Sequence, residues 1–224
     1  MPDTVLFFIF LGIALVVAIA ILGYLWEKKR RDAFRLLAQR LGLQYVSRDT
    51  AIPTRYQFLD ALRQGENRYA FNVLTGHYRG HPVKAFDYHY ETHSQDSKGH
   101  RQTHHHYFSF FLLEQERDFP ELRIYPEGFF SKLGHMIGFG DIDFESLEFS
   151  RAFCVRSKDR KFAYDICHTR MMEYLLGHRD LSIEIEGRAV AFSFPRRLNI
   201  QEIPDRLNQL VAIRSLFPEY LYRG

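Results

Sequence analysis

The chain begins with an apolar segment that continues into an amphipathic one. Residues 5–26 read VLFFIFLGIALVVAIAILGYLW, without one charged side chain. A helix of this length, rising about 1.5 Å per residue, is about 33 Å long and can cross the hydrocarbon layer of a bilayer. Apolar residues then recur at helical spacing as far as Gly42, which is suited to end a helix. The pattern predicts a short N-terminus over 1–4, a transmembrane helix over 5–26 and a juxtamembrane helix over 27–42.

A cleaved signal peptide is the main alternative for this segment. Ala18-Ile19-Ala20 matches the small-residue pattern of a cleavage site. However, no Lys or Arg precedes the apolar run, and the match lies inside the run rather than after it. These two features favour an uncleaved anchor.

Alternating and aromatic-rich segments follow the anchor. Strands are predicted over 43–46, 68–74, 83–90, 106–113, 122–125 and 149–155, with a hairpin of 181–186 and 188–194 turning at Gly187. Helices are predicted over 56–63, after a cap at Ser157 or Asp159, after a cap at Thr169, and over 203–216.

Strands followed by helices, without regular βαβ alternation, favour an α+β domain over 43–224. We expect a mainly antiparallel β-sheet with packed helices. One compact domain is the simpler interpretation, with two lobes over 43–130 and 140–224 as the alternative. A glycine-rich connector over 134–140 would lie between them.

The basic residues predict the orientation of the anchor. Asp3 is the only charged residue before the apolar run, whereas a cluster follows it: Lys28, Lys29, Arg30 and Arg31. Lys and Arg remain on the cytoplasmic side, so the N-terminus is predicted outside and the domain in the cytoplasm. The four basic residues are expected to contact the membrane surface, where each attracts anionic lipid headgroups by about 1 kcal/mol.

Composition narrows the possible partners. The net charge is +3, yet residues 41–224 carry 24 basic and 24 acidic side chains, so the positive excess lies beside the bilayer. Nucleic acid is therefore not an expected partner. The two cysteines, Cys154 and Cys167, are too few for a disulfide-stapled scaffold and suit a reducing compartment.

Three sequence patterns carry a family resemblance. They are Asn72-Val73-Leu74, the FDYxY pattern of residues 86–90, and the FExxEFxRxFxV pattern of residues 144–155. Together with residues 159–163 and 171–176 they resemble a family of bacterial membrane-anchored proteins that has no assigned activity. Members of that family often have one or two N-terminal membrane spans, so the resemblance implies a protein of the bacterial inner membrane and brings no catalytic residues. Thr169, where that family would have proline, departs from it.

Histidine is the most unusual component. Seven of the eleven histidines lie between His81 and His106. Neutral imidazole binds zinc, nickel or copper. If this segment folds as a hairpin, its two legs are expected to bring together four ligands: His89, His93, His104 and His106. Glu91 or Asp96 could add a carboxylate. The alternative is a solvated histidine-rich loop, since no fixed metal-site spacing such as HExxH is present.

Three functional classes remain at this point. The leading hypothesis is a membrane-tethered cytoplasmic interaction or scaffold domain that works through an unidentified protein partner and membrane lipid. The alternative is a metal-binding or metal-responsive membrane protein that uses the histidine-rich loop over 89–106, with a divalent transition metal as its cofactor. An enzyme is the third possibility, although no catalytic motif is recognisable.

Overall fold

The computed structural model describes residues 2–95, 99–127 and 141–223. Two features of the sequence lie outside these ranges. They are the glycine-rich connector predicted over 134–140 and Asp96, one of the two candidate carboxylate ligands.

The N-terminal segment is a single continuous helix, α1 (Pro2–Leu41). Its portion from Leu6 onward is long and apolar enough to cross a membrane, and the most apolar stretch is not buried against the domain. The helix ends where predicted, because Gly42 adopts a φ of 68°. This left-handed residue lets the amide of Leu43 donate to the carbonyl of Ala38 over 2.8 Å. The segments predicted to span the membrane and to follow it therefore form one continuous helix.

Six strands and six further α-helices follow α1 within the described ranges. The strands are β1 (Gln44–Asp49), β2 (Glu66–Tyr78), β3 (His81–Gln95), β4 (Arg101–Pro126), β5 (Phe153–Ser157) and β6 (Ile183–Phe194). The helices are α2 (Ile52–Arg55), α3 (Asp60–Arg63), α4 (Leu147–Ala152), α5 (Arg160–Ile166), α6 (Thr169–Leu176) and α7 (Ile203–Ser215), with a final 3-10 turn over Glu219–Tyr222.

All strand pairs are antiparallel, in one six-stranded sheet ordered β1-β2-β3-β4-β5, with β6 also paired to β4. The long strand β4 joins the two halves of the chain, because its first part pairs with β3 and its last part with β5. The larger core lies on one sheet face, among the end of α1 and α4–α7, and a smaller core lies beneath α2 and α3. This is the predicted α+β fold with an antiparallel sheet.

Several local predictions differ from the structure. The cap predicted at Thr169 lies at His168, and the helix predicted over 56–63 is replaced by α2 and α3. The strands predicted over 106–113 and 122–125 are parts of the single strand β4. The strand predicted over 149–155 begins as α4, because the Ser146 hydroxyl caps a helix by accepting from the amide of Phe149. The prediction of a hairpin that turns at Gly187 is wrong. Strand β6 continues through that glycine, and both halves of β6 pair with β4.

Candidate functional site

The first unusual site surrounds Asp87, a fully buried carboxylate in β3. Its side chain accepts hydrogen bonds from the amide of Leu198 at 2.5 Å and from Asn72 Nδ2 at 2.9 Å. Arg30 Nη2 lies 3.1 Å from the same carboxylate and forms an ion pair with it. A buried charge is costly unless it is paired and hydrogen-bonded, so Asp87 needs all of these partners.

Arg30 connects α1 to the domain through more than one contact. Besides its bond to Asp87, Nη2 donates to the carbonyl of Leu198 over 2.7 Å. Its guanidinium lies 5.0 Å from the centre of the Phe34 ring, which is itself buried in the core. One side chain of α1 therefore contacts both β3 and the segment that follows β6.

A second pair strengthens this connection one turn nearer the N-terminus of α1. Arg197 Nη1 donates to Glu27 Oε1 over 3.1 Å, and Arg197 Nε lies 3.7 Å from the Asp87 carboxylate. The hydrogen bond from Arg197 lowers the pKa of Glu27. We use the term helix–domain junction for this set of side chains and its backbone partner: Glu27, Arg30, Asn72, Asp87, Arg197 and Leu198.

Asn72 is held in an uncommon backbone conformation within this junction. Its φ is 49°, at an irregularity in the pairing of β2 with β3. The Tyr45 hydroxyl donates to Asn72 Oδ1 over 3.1 Å, which turns the amide nitrogen towards Asp87. Two of the sequence patterns noted above, one with Asn72 and one with Asp87, thus contact each other directly.

The four basic residues predicted to lie at the membrane surface are placed differently from one another. Lys28 and Lys29 are exposed, and Arg31 is half-buried. Arg30 is bound to Asp87, so its charge is directed at the domain. The contact of these residues with lipid headgroups stays a prediction. The sequence analysis missed this role of Arg30; the signal that could have indicated it is Asp87, a carboxylate within an aromatic strand, which needs a cationic partner if it is buried.

The predicted histidine ligands do not form one cluster. β3 and β4 do form a hairpin, in which Tyr90 pairs with His106 and His93 pairs with Thr103. Because side chains alternate between faces, this register places His89 and His93 on one face and His104 and His106 on the other. The prediction that these four histidines bind one metal ion is therefore wrong, because a single ion cannot reach both faces of the sheet.

The two faces of the hairpin have different partners. On one face, His104 Nε2 and His106 Nε2 each lie 2.8 Å from a hydroxyl, those of Ser94 and Thr92. On the other face, His89 Nε2 lies 3.0 Å from His105 Nδ1, and the Glu91 carboxylate lies beside both nitrogens. His105 was absent from the predicted ligand set, whereas Glu91 was a candidate carboxylate.

The cysteines give no reactive thiolate. Both Cys154 and Cys167 are buried and free. Burial, with a hydrogen bond to Asp141, raises the pKa of Cys154 to about 12, and burial alone raises the pKa of Cys167 further. A nucleophilic cysteine requires the opposite shift.

A third polar cluster links α3 to the sheet. Buried Glu184 accepts from the amide of Asp60 at 2.9 Å, and the Asp60 carboxylate lies 2.8 Å from Arg123 Nε. Burial, followed by the charge of Asp60, raises the pKa of Glu184 to about 7, against an opposing effect of Arg123. This cluster joins β4 and β6 to α3 inside the domain.

Comparison with known proteins identifies the fold. The chain matches no protein-family model. No curated protein is similar in sequence. Among solved structures, the crystal structure of the mycobacterial trehalose monomycolate transport factor A, TtfA, is similar, with a TM-score of 0.61 over 84% of this chain and 96% of that chain. At 14% sequence identity the likeness shows a shared fold.

Proposed function

We propose that this protein is a single-pass adaptor of the bacterial inner membrane. Its N-terminus lies outside, its α+β domain lies in the cytoplasm, and the domain acts by binding another membrane protein. The observation that carries this proposal is the helix–domain junction, which fixes the domain to the end of the apolar helix.

The junction favours a fixed domain over a loosely tethered one. Arg30 follows Trp26, the end of the apolar run, by four residues, which is about 6 Å along a helix. Its partner Asp87 is fully buried within the sheet. The domain is therefore held within about one helical turn of the bilayer surface, where it can contact the cytoplasmic loops of membrane proteins.

The direction of the hairpin agrees with this arrangement. Phe34 stacks on Tyr45, which lies level with Ala85 through the register of β1, β2 and β3. Arg30, one turn nearer the membrane, contacts Asp87. Between Ala85 and Asp87, β3 therefore runs in the direction in which α1 approaches the bilayer.

The fold likeness is compatible with a role as an accessory protein. Trehalose monomycolate transport factor A is a transport factor by its name, and it has the same fold. We infer that the present chain likewise supports the action of a partner and performs no chemistry of its own. The buried thiols, with their raised pKa values, support this inference.

Affinity capture from cross-linked native membranes tests the proposal. Three chains are compared with the wild type: one whose residues 1–26 are replaced by an unrelated apolar span, the Asp87→Ala variant, and a matched Asp205→Ala variant at an exposed position. We expect the span replacement and Asp205→Ala to retain the same partner, and Asp87→Ala to recover at least about fivefold less. Loss of the partner on span replacement alone, or its retention after deletion of 43–224, would contradict the proposal.

A further inference from the structure

We propose that His89, Glu91 and His105 form a binding site for a divalent transition metal ion of the zinc type. The three side chains lie on one face of the β3–β4 hairpin, and their ligand atoms all lie within 4.8 Å of one another. The fourth position of the ion is open to solvent. This site goes beyond the adaptor role and does not depend on it.

The spacing of the ligand atoms matches tetrahedral coordination. Zinc binds imidazole nitrogen and carboxylate oxygen at about 2.0–2.2 Å, so neighbouring ligand atoms around one ion are about 3.4 Å apart. Here His89 Nε2 lies 3.0 Å from His105 Nδ1, Glu91 Oε1 lies 3.3 Å from His105 Nδ1, and Glu91 Oε1 lies 3.8 Å from His89 Nε2. An ion would fit after shifts of a few tenths of an ångström, with neutral His105 carrying its proton on Nε2 instead of on Nδ1, from which it donates to His89 Nε2 when no ion is bound.

The position of the proton on the His89 ring leaves Nε2 able to bind the ion. Its Nδ1 lies 3.2 Å from the carbonyl oxygen of Asn67. Because a carbonyl can only accept, Nδ1 carries the proton and Nε2 keeps its lone pair for the ion. A metal-binding histidine that donates its other ring N–H to a backbone carbonyl is the usual arrangement in metalloproteins.

Asn67 supports two of the three ligands. Its backbone carbonyl accepts from His89, and its side-chain Nδ2 donates to Glu91 Oε1 over 2.7 Å. The residue has a φ of 47° and lies at an irregularity in the pairing of β2 with β3. Such bulges reorient groups beside functional sites. A single strained residue thus orients both the buried imidazole and the carboxylate.

Access to the site is graded from buried to exposed. The side chain of His89 is 3% exposed, that of Glu91 16% and that of His105 54%. Tyr69 and Tyr107 pack on the His89 ring, with ring centres 4.7 and 5.2 Å away. An ion can therefore enter from the side of His105 and reach a ligand fixed in the protein. Among the described residues, no Lys or Arg forms an ion pair with Glu91 that would compete for the carboxylate.

A Zn²⁺ competition titration with a chromophoric chelator tests the site. The full chain, purified in detergent without a histidine tag, should bind one Zn²⁺, and Co²⁺ in its place should give the intense visible absorption of tetrahedral coordination. His105→Ala removes an exposed ligand and Glu91→Gln keeps the shape of the side chain, so both variants should fold. We expect each to bind Zn²⁺ at least about tenfold more weakly than the wild type.

The opposite face of the hairpin supplies matched controls. His104→Ala and His106→Ala remove equivalent imidazoles that do not belong to the site, so Zn²⁺ affinity should stay within about twofold of the wild type and the Co²⁺ spectrum should be retained. Equal losses in His104→Ala and His105→Ala would indicate diffuse binding by a histidine-rich surface and would overturn the proposal. Unchanged affinity in both His105→Ala and Glu91→Gln would overturn it as well.

Discussion

Asp87 shows how much one residue contributes to the position of the whole domain. Removing one partner of a buried ion pair leaves the other charge without compensation, which typically costs 3–5 kcal/mol. Arg30 retains some solvent contact, with 24% of its side chain exposed. We therefore expect Asp87→Ala to lower the free energy of unfolding by about 3 kcal/mol, measured by denaturant titration of the full chain in detergent.

Asp87→Asn provides the matched comparison. An amide can still accept from the amide of Leu198 but no longer pairs with the charge of Arg30. Its destabilisation should lie between the wild type and Asp87→Ala. Equal stability of the wild type and Asp87→Ala would show that the junction does not hold the domain to α1.

Glu184 predicts how stability depends on pH. Its pKa is about 7 in the folded protein, against 4.5 for an ordinary Glu. The folded state therefore binds more protons than the unfolded state between these values, so the contribution of Glu184 is most favourable below pH 4.5 and is lost as pH rises through 7. The shift corresponds to about 3 kcal/mol. Glu184→Gln should flatten this slope and stabilise the protein at pH 8, measured by unfolding across pH 4.5–8. A steeper slope in the variant would contradict this assignment.

Single residues with local partners were predictable, whereas those with distant partners were not. The cap at Asp159 is confirmed, because its side chain accepts from the amide of Phe162 only three residues away. Asp87 bonds to Arg30, 57 positions earlier, and to Leu198, 111 positions later. Hydrophobic patterning and secondary-structure propensity give no information on such pairs, because the partners meet only once the sheet has formed.

At the scale of structural elements, two turns require glycine for different reasons: one for its backbone conformation alone, the other also because a side chain would not fit. Gly42 after α1 and Gly65 before β2 both have positive φ, 68° and 70°. A Cβ at Gly42 would meet no atom within 4 Å, whereas one at Gly65 would lie 2.4 Å from the Glu91 carbonyl oxygen and from Tyr90 Cδ2. Gly42→Ala therefore suffers only the backbone penalty of about 1–2 kcal/mol.

Gly65→Ala suffers the same penalty and a steric clash in addition. We expect it to destabilise the protein clearly more than Gly42→Ala, by at least about 1 kcal/mol, in paired thermal unfolding experiments. Because the clash involves the backbone of Glu91, Gly65→Ala should also disturb the hairpin face that carries His89 and His105. Equal effects of the two substitutions would show that the close approach at Gly65 is absent in solution.

The hairpin shows where sequence reasoning about elements stops. Its existence and its antiparallel pairing follow from turn residues between two aromatic-rich strands. Its register does not, and a shift by one residue would exchange the faces of every side chain. The predicted ligands therefore included His104 and His106 in place of His105. The sequence likewise predicted a turn at Gly187, because it did not show that β4 is long enough to pair with both halves of β6.

For the whole molecule, the orientation in the membrane is the property most directly open to test. Ser47 is exposed, and the two native cysteines are buried, so a Ser47→Cys variant should be labelled at one site. We expect a membrane-impermeant maleimide to label it only after the inner membrane is permeabilised. Thr4→Cys, on the other side of the apolar run, should be labelled in intact spheroplasts. The reverse pattern would place the domain outside the cytoplasm.

The unbroken course of α1 into the junction has a geometric consequence for recognition within the bilayer. Successive residues of a helix differ in azimuth by about 100°. Since Glu27 and Arg30 are both bound to the domain, the lipid-facing stripe of the span and the surface of the domain keep one fixed angular offset. A lipid or helix that contacts one side of the span therefore always lies on the same side of the sheet, and inserting a single residue at position 27 would rotate the span relative to the domain by about 100°.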